Sequence, residues 1–215
     1  MKSTSFFMIL LIVVLGAATT PAWADIVPVK NASFEDFNPL DTPCRIPDPG
    51  SCAFNFGPIP DWILTGDGGS WRPTAVFYNL PLPDGSIVAF GNGGTISQTL
   101  STSVLPNTGY TLSVDVGHRL DGYVTNYTVA IYAGSELLDS LTGSNGSIPI
   151  GTFADETLSF MSGATAAGDL RIVLTSTGSQ ADFDDVRLMT GTPEPASLSL
   201  LAVGCGLMLF VFRRR

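Results

Sequence analysis

The chain has 215 residues, of which 45% are apolar and 13% are charged, and its formal net charge at pH 7 is −9. This length allows one globular domain with processing segments at its ends. Residues 25–191 contain six Lys and Arg against eighteen Asp and Glu, a net charge of −12. A domain this acidic repels the phosphate backbone, so nucleic acids are excluded as partners.

The first 24 residues predict a signal peptide for secretion. They contain a basic Lys2, an apolar stretch over residues 6–15 and the small residues Ala22 and Ala24, which suit cleavage before Asp25. The alternative is an uncleaved membrane helix, which the short apolar stretch does not favour. We therefore expect an exported protein.

Two cysteines lie in a Pro-rich stretch over residues 37–60, which is expected to be an irregular insertion. Cys44 and Cys52 flank the segment RIPDPGS. In an exported protein such a close pair predicts a disulfide, whose short loop would stabilise the fold by roughly 2–3 kcal/mol. The alternative is two unpaired thiols, and no further Cys or His nearby completes a zinc site.

The body of the chain, residues 25–190, shows the alternation of apolar and polar residues that is typical of β-strands. In YTLSVDVG, for example, Tyr110, Leu112 and Val114 share one face. About nine or ten short strands separated by Gly, Pro, Asn and Asp predict an all-β fold, an antiparallel β-sandwich with one core between two sheets. Three aromatic side chains are expected in that core: Trp62, Phe77 and Tyr127.

Two acidic segments, VKNASFEDF near the start and QADFDDVRL near the end of the domain, are candidates for a metal site. Val186 and Leu188 are expected to point into the core, and alternation then places Asp184 on the same inward line. A buried carboxylate is costly unless it is paired or binds a cation. If the first and last strands pair, Glu35 and Asp184 could meet and, with backbone carbonyls, bind Ca²⁺. The alternative is a solvated acidic strand end.

Several short motifs occur in an order that resembles a known family. NASFE, IPDW, ISQTL, GYTLSVDVG and FDDVRL resemble the galactose-binding-like jelly rolls, which include carbohydrate-binding modules of bacterial glycosidases. The same order resembles the calcium-dependent Stig-type cyclases of indole-alkaloid biosynthesis, which use this fold. The resemblance covers roughly residues 26–189 and implies a jelly-roll β-sandwich.

The resemblance also implies a site. A structural Ca²⁺ that joins the SFE segment to the C-terminal strand would be held by Glu35 and Asp184. The Stig-type cyclases use an acid to protonate an indole-derived substrate, and Asp184 is the position to examine for this role, in competition with calcium. No catalytic residue is assigned on these grounds, because one fold hosts many functions.

A binding module requires fewer special residues. Trp71, Arg72 and Tyr78 in the segment GGSWRPTAVFYNL could supply flat rings and a guanidinium for the rings and hydroxyls of a glycan. The alternative is that Trp71 and Tyr78 only cover an edge of the core. Binding of a glycan or exopolysaccharide, without catalysis, is therefore the first function hypothesis, and a cyclase-like enzyme is the second.

The C-terminal segment, residues 191–215, resembles the PEP-CTERM sorting signal. It contains an apolar stretch over residues 196–212, which is about 25 Å long as a helix and predicts a modest transmembrane span, followed by arginines at 213–215. The resemblance implies that an exosortase recognises and removes the tail, leaving the protein in the cell envelope, on the outer surface or in the extracellular matrix. The motif itself is formed by Pro193, Glu194 and Pro195.

Overall fold

A computed structural model describes residues 24–37, 42–43 and 52–191. Regular structure in these residues is β-strand, apart from a 3-10 turn at Asn145–Ser147. The strands are β1 (Asp25–Val27), β2 (Thr42–Pro43), β3 (Ala53–Phe56), β4 (Ile63–Thr65), β5 (Gly68–Arg72), β6 (Val88–Asn92), β7 (Thr95–Ser103), β8 (Gly109–His118), β9 (Asn126–Ala133), β10 (Glu136–Ser144), β11 (Thr152–Met161), β12 (Asp169–Ser176) and β13 (Gln180–Gly191).

The strands form two antiparallel sheets. The eight-stranded sheet has the order β11-β8-β13-β6-β5-β3-β2, with β1 paired to β13, and the five-stranded sheet has the order β10-β9-β12-β7-β4. Asp25 lies opposite Thr190 and Val27 opposite Leu188, so the first strand pairs with the last, which was the condition for Glu35 and Asp184 to meet. The predicted antiparallel β-sandwich of the jelly-roll type is confirmed.

The main core lies between the two sheets. Alternate residues of β8 and β12 face each other across it and are buried from solvent. Each such apolar side chain stabilises the fold by roughly 1.5–3 kcal/mol when it leaves water. Trp62 and Tyr127 belong to this core, as expected. Its members from β8 and β12 are Tyr110, Leu112, Val114, Val116, Leu170, Ile172 and Leu174.

Strand β13 does not keep one alternation along its length. Phe183 and Val186, three residues apart, both belong to the main core. A bulge between Asp184 and Arg187 inserts an extra residue, and Asp185 adopts a φ of 44°. Because a bulge moves the side chains that follow it to the other face, the predicted inward position of Asp184 is wrong. Asp184 lies on the outer face of the eight-stranded sheet.

A second apolar cluster lies on this outer face. It includes Trp71 of β5 and Val88 and Phe90 of β6, whereas Ala89 between them belongs to the main core. The connection over residues 73–87 covers the face and completes the cluster. It contributes Phe77, Tyr78 and Leu82. Phe77 is therefore buried as expected, but in this second cluster.

The segment Asp25–Gly191 forms one compact unit. The signal peptide up to residue 23, Cys44, the PEP motif, the apolar stretch 196–212 and the terminal arginines lie outside the described residues. Within the described part of the chain, no helix is long and apolar enough to cross a membrane.

Candidate functional site

The outer face of the eight-stranded sheet holds a cavity of about 230 Å³. The walls combine aromatic rings with a few polar side chains, which is typical of sites for small molecules. Phe56 and Tyr123 at its rim are 56% and 50% exposed, whereas Trp71 is buried. The lining residues are Phe54, Phe56, Trp71, Phe77, Phe90, Asn92, Arg119, Asp121, Tyr123 and Gln180.

Three of these rings enclose the guanidinium of Arg119. Its Cζ atom lies 5.0 Å from the ring centroids of Trp71 and of Phe77, and 4.9 Å from that of Tyr123. At these distances the electron-rich ring faces attract a cation. The pocket therefore already stabilises one positive charge.

Polar contacts hold the same guanidinium from its other edge. Its Nε donates to Oδ1 of Asp121 at 2.9 Å, and Nη2 pairs with Oδ2 of the same carboxylate. Nη1 donates to Oε1 of Gln180 at 2.6 Å. Arg119 is thereby fixed between a carboxylate, an amide and the aromatic rings.

A fully buried carboxyl, that of Asp182, lies directly behind the pocket wall. Its Oδ1 accepts hydrogen bonds from the Trp71 indole at 3.2 Å and from Nε2 of Gln180 at 2.7 Å. Its Oδ2 accepts one from the Tyr78 hydroxyl at 2.5 Å. Because Trp71 and Gln180 line the pocket and Tyr78 does not, Oδ1 is the oxygen nearer to a bound ligand.

The environment of Asp182 acts on its pKa in two opposite directions. Burial raises the pKa of the carboxyl above its ordinary value, while Arg119 and the three hydrogen-bond donors oppose this effect. Burial, and then the neighbouring Asp182 charge, also raise the pKa of Tyr78. A carboxyl with a raised pKa beside an apolar pocket has a property that general acids share.

The two predicted metal ligands contact one short turn over residues 84–87. Oε1 of Glu35 accepts the N–H groups of Ser86 at 2.7 Å and Ile87 at 2.6 Å. Oδ2 of Asp184 accepts the N–H of Asp84 at 3.1 Å. The structure therefore brings Glu35 and Asp184 to the same turn.

Asp184 is fully buried, and the carboxylates of Asp185 and Asp115 act on it electrostatically. Its Oδ1 accepts the N–H of Asp185 at 2.8 Å. Burial raises the pKa of Asp184 to about 8; backbone hydrogen bonds oppose this, and the charges of Asp185 and Asp115 add to it. Hard carboxylate oxygens suit Ca²⁺. The described residues contain no group of three or more Asp, Glu, His or Cys that could hold a metal, so further ligands would be carbonyls or water.

A sequence model of the HpiC1-like family, described as HpiC1 cyclase, matches residues 25–189. The chain belongs to the HpiC1-like family. The match extends from β1 almost to the end of β13 and confirms the predicted likeness of this domain to the cyclases. No curated protein sequence is similar enough to count as a relative.

Solved structures with a similar fold include carbohydrate-binding modules. The xylan-binding CBM22-1 domain of Paenibacillus barcinonensis Xyn10C is 10% identical, with a TM-score of 0.48 over 81% of this chain and 99% of that one. TmCBM61, solved with beta-1,4-galactotriose, is 12% identical, with a TM-score of 0.47 over 74% of this chain and 95% of that one. The ligands are properties of those modules, and the β-sandwich of the HpiC1-like chain is established by its own strand pairing.

The predicted ligand residues of this HpiC1-like domain occupy different positions. Trp71 lines the pocket, but only 3% of its surface is exposed, and Tyr78 is fully buried beneath it. Arg72 is half-buried, and its Cζ lies 5.9 Å from the ring centroid of Phe37. Trp71 and Tyr78 therefore reach the site mainly through their hydrogen bonds to Asp182.

Sequence reasoning missed Asp182, Arg119 and Gln180. The sequence does contain an indication for Asp182, which lies between Ala181 and Phe183. If Phe183 points into the core, alternation places Asp182 on the outer face of the sheet. The sequence contains no such indication for Arg119 and Gln180, because the hydrogen bond between them joins residues 61 positions apart.

Proposed function

We propose that this HpiC1-like protein is a cyclase-type enzyme, whose aromatic pocket binds an apolar, ring-containing substrate and whose Asp182 protonates it. The observation that carries the proposal is the buried Asp182 carboxyl, one hydrogen bond behind the wall of an aromatic pocket. Membership of the HpiC1-like family supports it. The acid is thus Asp182 and not Asp184, the candidate suggested by the sequence.

The reaction balances as an isomerisation. The proton of the Asp182 carboxyl passes to an electron-rich carbon of the substrate, which becomes a cation. A second π bond of the substrate attacks the cation and closes a ring. Loss of a proton to the Asp182 carboxylate then restores both the acid and a neutral product.

Access to Oδ1 determines when this step takes place. Trp71 and Gln180 both donate to Oδ1, so a substrate atom must replace one of these N–H groups before it can receive the proton. The remaining rings of the pocket wall, those of Phe54, Phe56 and Phe90, would stabilise the substrate cation, because aromatic ring faces attract a positive charge.

Turnover in D₂O tests this proposal. The full chain, incubated with an isonitrile-bearing indole terpenoid, is expected to convert it to a product that carries one solvent deuterium at the protonated carbon. The control is Asp139→Asn on strand β10 of the other sheet, which should convert the compound at the wild-type rate. No conversion by the wild type, or a product without deuterium, would contradict acid catalysis.

A calcium ion at Glu35 and Asp184 is a further part of the proposal. Both carboxylates contact the turn 84–87, and the charges of Asp185 and Asp115 raise the pKa of Asp184 further. A bound Ca²⁺ would neutralise them and fasten the turn, which belongs to the connection that covers the outer face. Its role would be structural, since Asp182 faces different partners.

Glycan binding is the second candidate function. The exposed rings of Phe56 and Tyr123 at the pocket rim favour it, because sugar rings stack on flat aromatic faces and Asp121 and Arg119 can bind hydroxyls. A glycan array that includes exopolysaccharide fragments tests it, with Phe56→Ala and Tyr123→Ala as variants. Binding that persists in both variants would contradict this use of the pocket.

Export and processing complete the proposal. The Pro193-Glu194-Pro195 motif, the apolar stretch and the terminal arginines support recognition by an exosortase in the membrane, followed by release to the envelope, the outer surface or the matrix. A C-terminal epitope tag should be lost from the mature extracellular protein. A tag that persists there would contradict processing.

A further inference from the structure

The hydrogen bonds behind the pocket wall have a fixed direction. A guanidinium has only donors, so the atom of Gln180 that faces Nη1 of Arg119, at 2.6 Å, must be the amide oxygen. The amide NH₂ of Gln180 is then turned to Oδ1 of Asp182, at 2.7 Å. The opposite amide orientation would set donor against donor at Arg119 and acceptor against carboxylate at Asp182.

The same reasoning defines the two oxygens of Asp182. The Trp71 indole is also only a donor, so Oδ1 receives two N–H groups and cannot carry a proton while both are in place. At Oδ2 the partner is the Tyr78 hydroxyl, which can donate or accept. The two N–H groups therefore cover Oδ1 on its pocket side for as long as both contacts are made.

Of the two donors at Oδ1, Gln180 is the one able to move. Trp71 is 3% exposed and has ring contacts with Phe77 and Tyr78, at centroid distances of 5.2 and 6.2 Å. Gln180 is only partly buried and has a flexible side chain. What holds its amide in place is Arg119, which is itself held by Asp121 and the rings.

We propose that Arg119 is a positioning residue that acts through Gln180: it orients the Gln180 amide so that the NH₂ group covers Oδ1 of Asp182 until a substrate takes its place. The inference rests on the proposed function for its catalytic meaning, but the hydrogen-bond direction stands without it. A ligand that stacks on Trp71, Phe77 or Tyr123 competes with the Arg119 guanidinium for these rings. The Gln180 amide is then held less firmly over Oδ1 of Asp182.

Hydrogen exchange of the glutamine side-chain amides tests the positioning without any turnover. The chain contains two glutamines, Gln98 and Gln180. With ¹⁵N-glutamine in the full chain in detergent, both NH₂ groups should be protected, and Gln98, which donates to backbone carbonyls of Lys30 and Asp61, serves as internal reference.

Arg119→Leu should accelerate exchange of the Gln180 amide by about tenfold or more while Gln98 stays protected, because local opening governs exchange. Arg119→Lys keeps a donor and should retain most of the protection. The matched control is Arg171→Leu, which removes an arginine that lies 4.7 Å over the ring of Tyr132 in the other sheet. A Gln180 amide that exchanges freely in the wild type, or equally in the wild type and Arg119→Leu, would overturn the proposal.

Turnover of the isonitrile-bearing indole terpenoid gives the second readout. Gln180→Glu keeps the contact with Arg119 but replaces the donor at Asp182 by an acceptor, so kcat should fall by about a hundredfold, as misplaced catalytic groups typically cause. A space-filling role predicts that Gln180→Glu, which has the shape of glutamine, stays active, and this result would overturn the proposal. A wild type without turnover contradicts the proposed function alone, and the exchange rates then decide the positioning.

Discussion

Asp182 and Asp184 are the same residue type, two positions apart on the outer face of one strand, and both are fully buried. Their partners differ. Asp182 is bound by three side-chain donors, from Trp71, Tyr78 and Gln180, with a cation nearby. Asp184 is bound by two backbone N–H groups, and the charges that act on its pKa, those of Asp185 and Asp115, are negative.

The difference teaches that burial alone does not assign a role to a carboxyl. Burial raises the pKa of both groups. The side-chain donors and aromatic rings around Asp182 suit an acid that meets an organic substrate, whereas the hard oxygens around Asp184 suit a divalent cation. Substitutions at single positions of β13, and removal of calcium, test whether the two carboxyls are independent of each other.

The largest effect is expected for Asp182→Asn. The amide cannot supply the proton, so kcat for the isonitrile-bearing indole terpenoid should fall by roughly a hundredfold to ten-thousandfold. Folding should persist, because the amide can still accept from Trp71 and Gln180 and donate to Tyr78. Its melting temperature should respond to a calcium chelator as the wild type does, and a lost response would show that the two carboxyls act as one site.

Phe183→Ala tests the residue between them, which points into the main core. Removing this fully buried ring should lower the free energy of unfolding by about 3–5 kcal/mol, measured by urea denaturation. Since the ring is on the opposite face, the chelator response should survive at temperatures where the variant is folded. A loss below 1 kcal/mol would contradict its burial.

Removal of calcium should have a smaller effect on stability. At a free concentration about a hundred times Kd, a bound ion contributes about 2.7 kcal/mol, so chelation should lower the melting temperature by roughly 5–10 °C. Asp184→Asn should abolish this shift, and Asp139→Asn should leave it unchanged. A wild-type melting temperature that ignores the chelator would refute the calcium proposal.

The smallest effect is expected for Arg187→Gln. The side chain is 43% exposed and pairs with Asp155 at 3.0 Å and with Asp115 and Asp185 at 3.4 Å. Solvent screens such contacts, so the loss should be at most about 1 kcal/mol and should shrink at high salt. A large loss that salt does not change would mean that Arg187 supports the buried Asp184.

The local pattern predicted most of the fold and little of the site. Alternation along β8 identified its buried face, whereas the pairing of the first strand with the last was only a condition of the metal-site hypothesis and is a finding of the structure. The prediction from alternation was wrong at β13, because the strand has a bulge after Asp184. One extra residue reverses every side chain beyond it, so extrapolating back from Val186 assigned Asp184 to the wrong face.

By itself, the sequence determined that this protein is an acidic, all-β domain with one two-sheet core, since these properties follow from composition and a period of two. Only the tertiary structure decided which carboxyl meets the aromatic pocket. Asp182 is hydrogen-bonded to Trp71 and Tyr78, more than a hundred residues away, and to Gln180, which contacts Arg119. Such contacts depend on which strands are neighbours and on which loop covers them. Neither property produces a periodic pattern in the sequence.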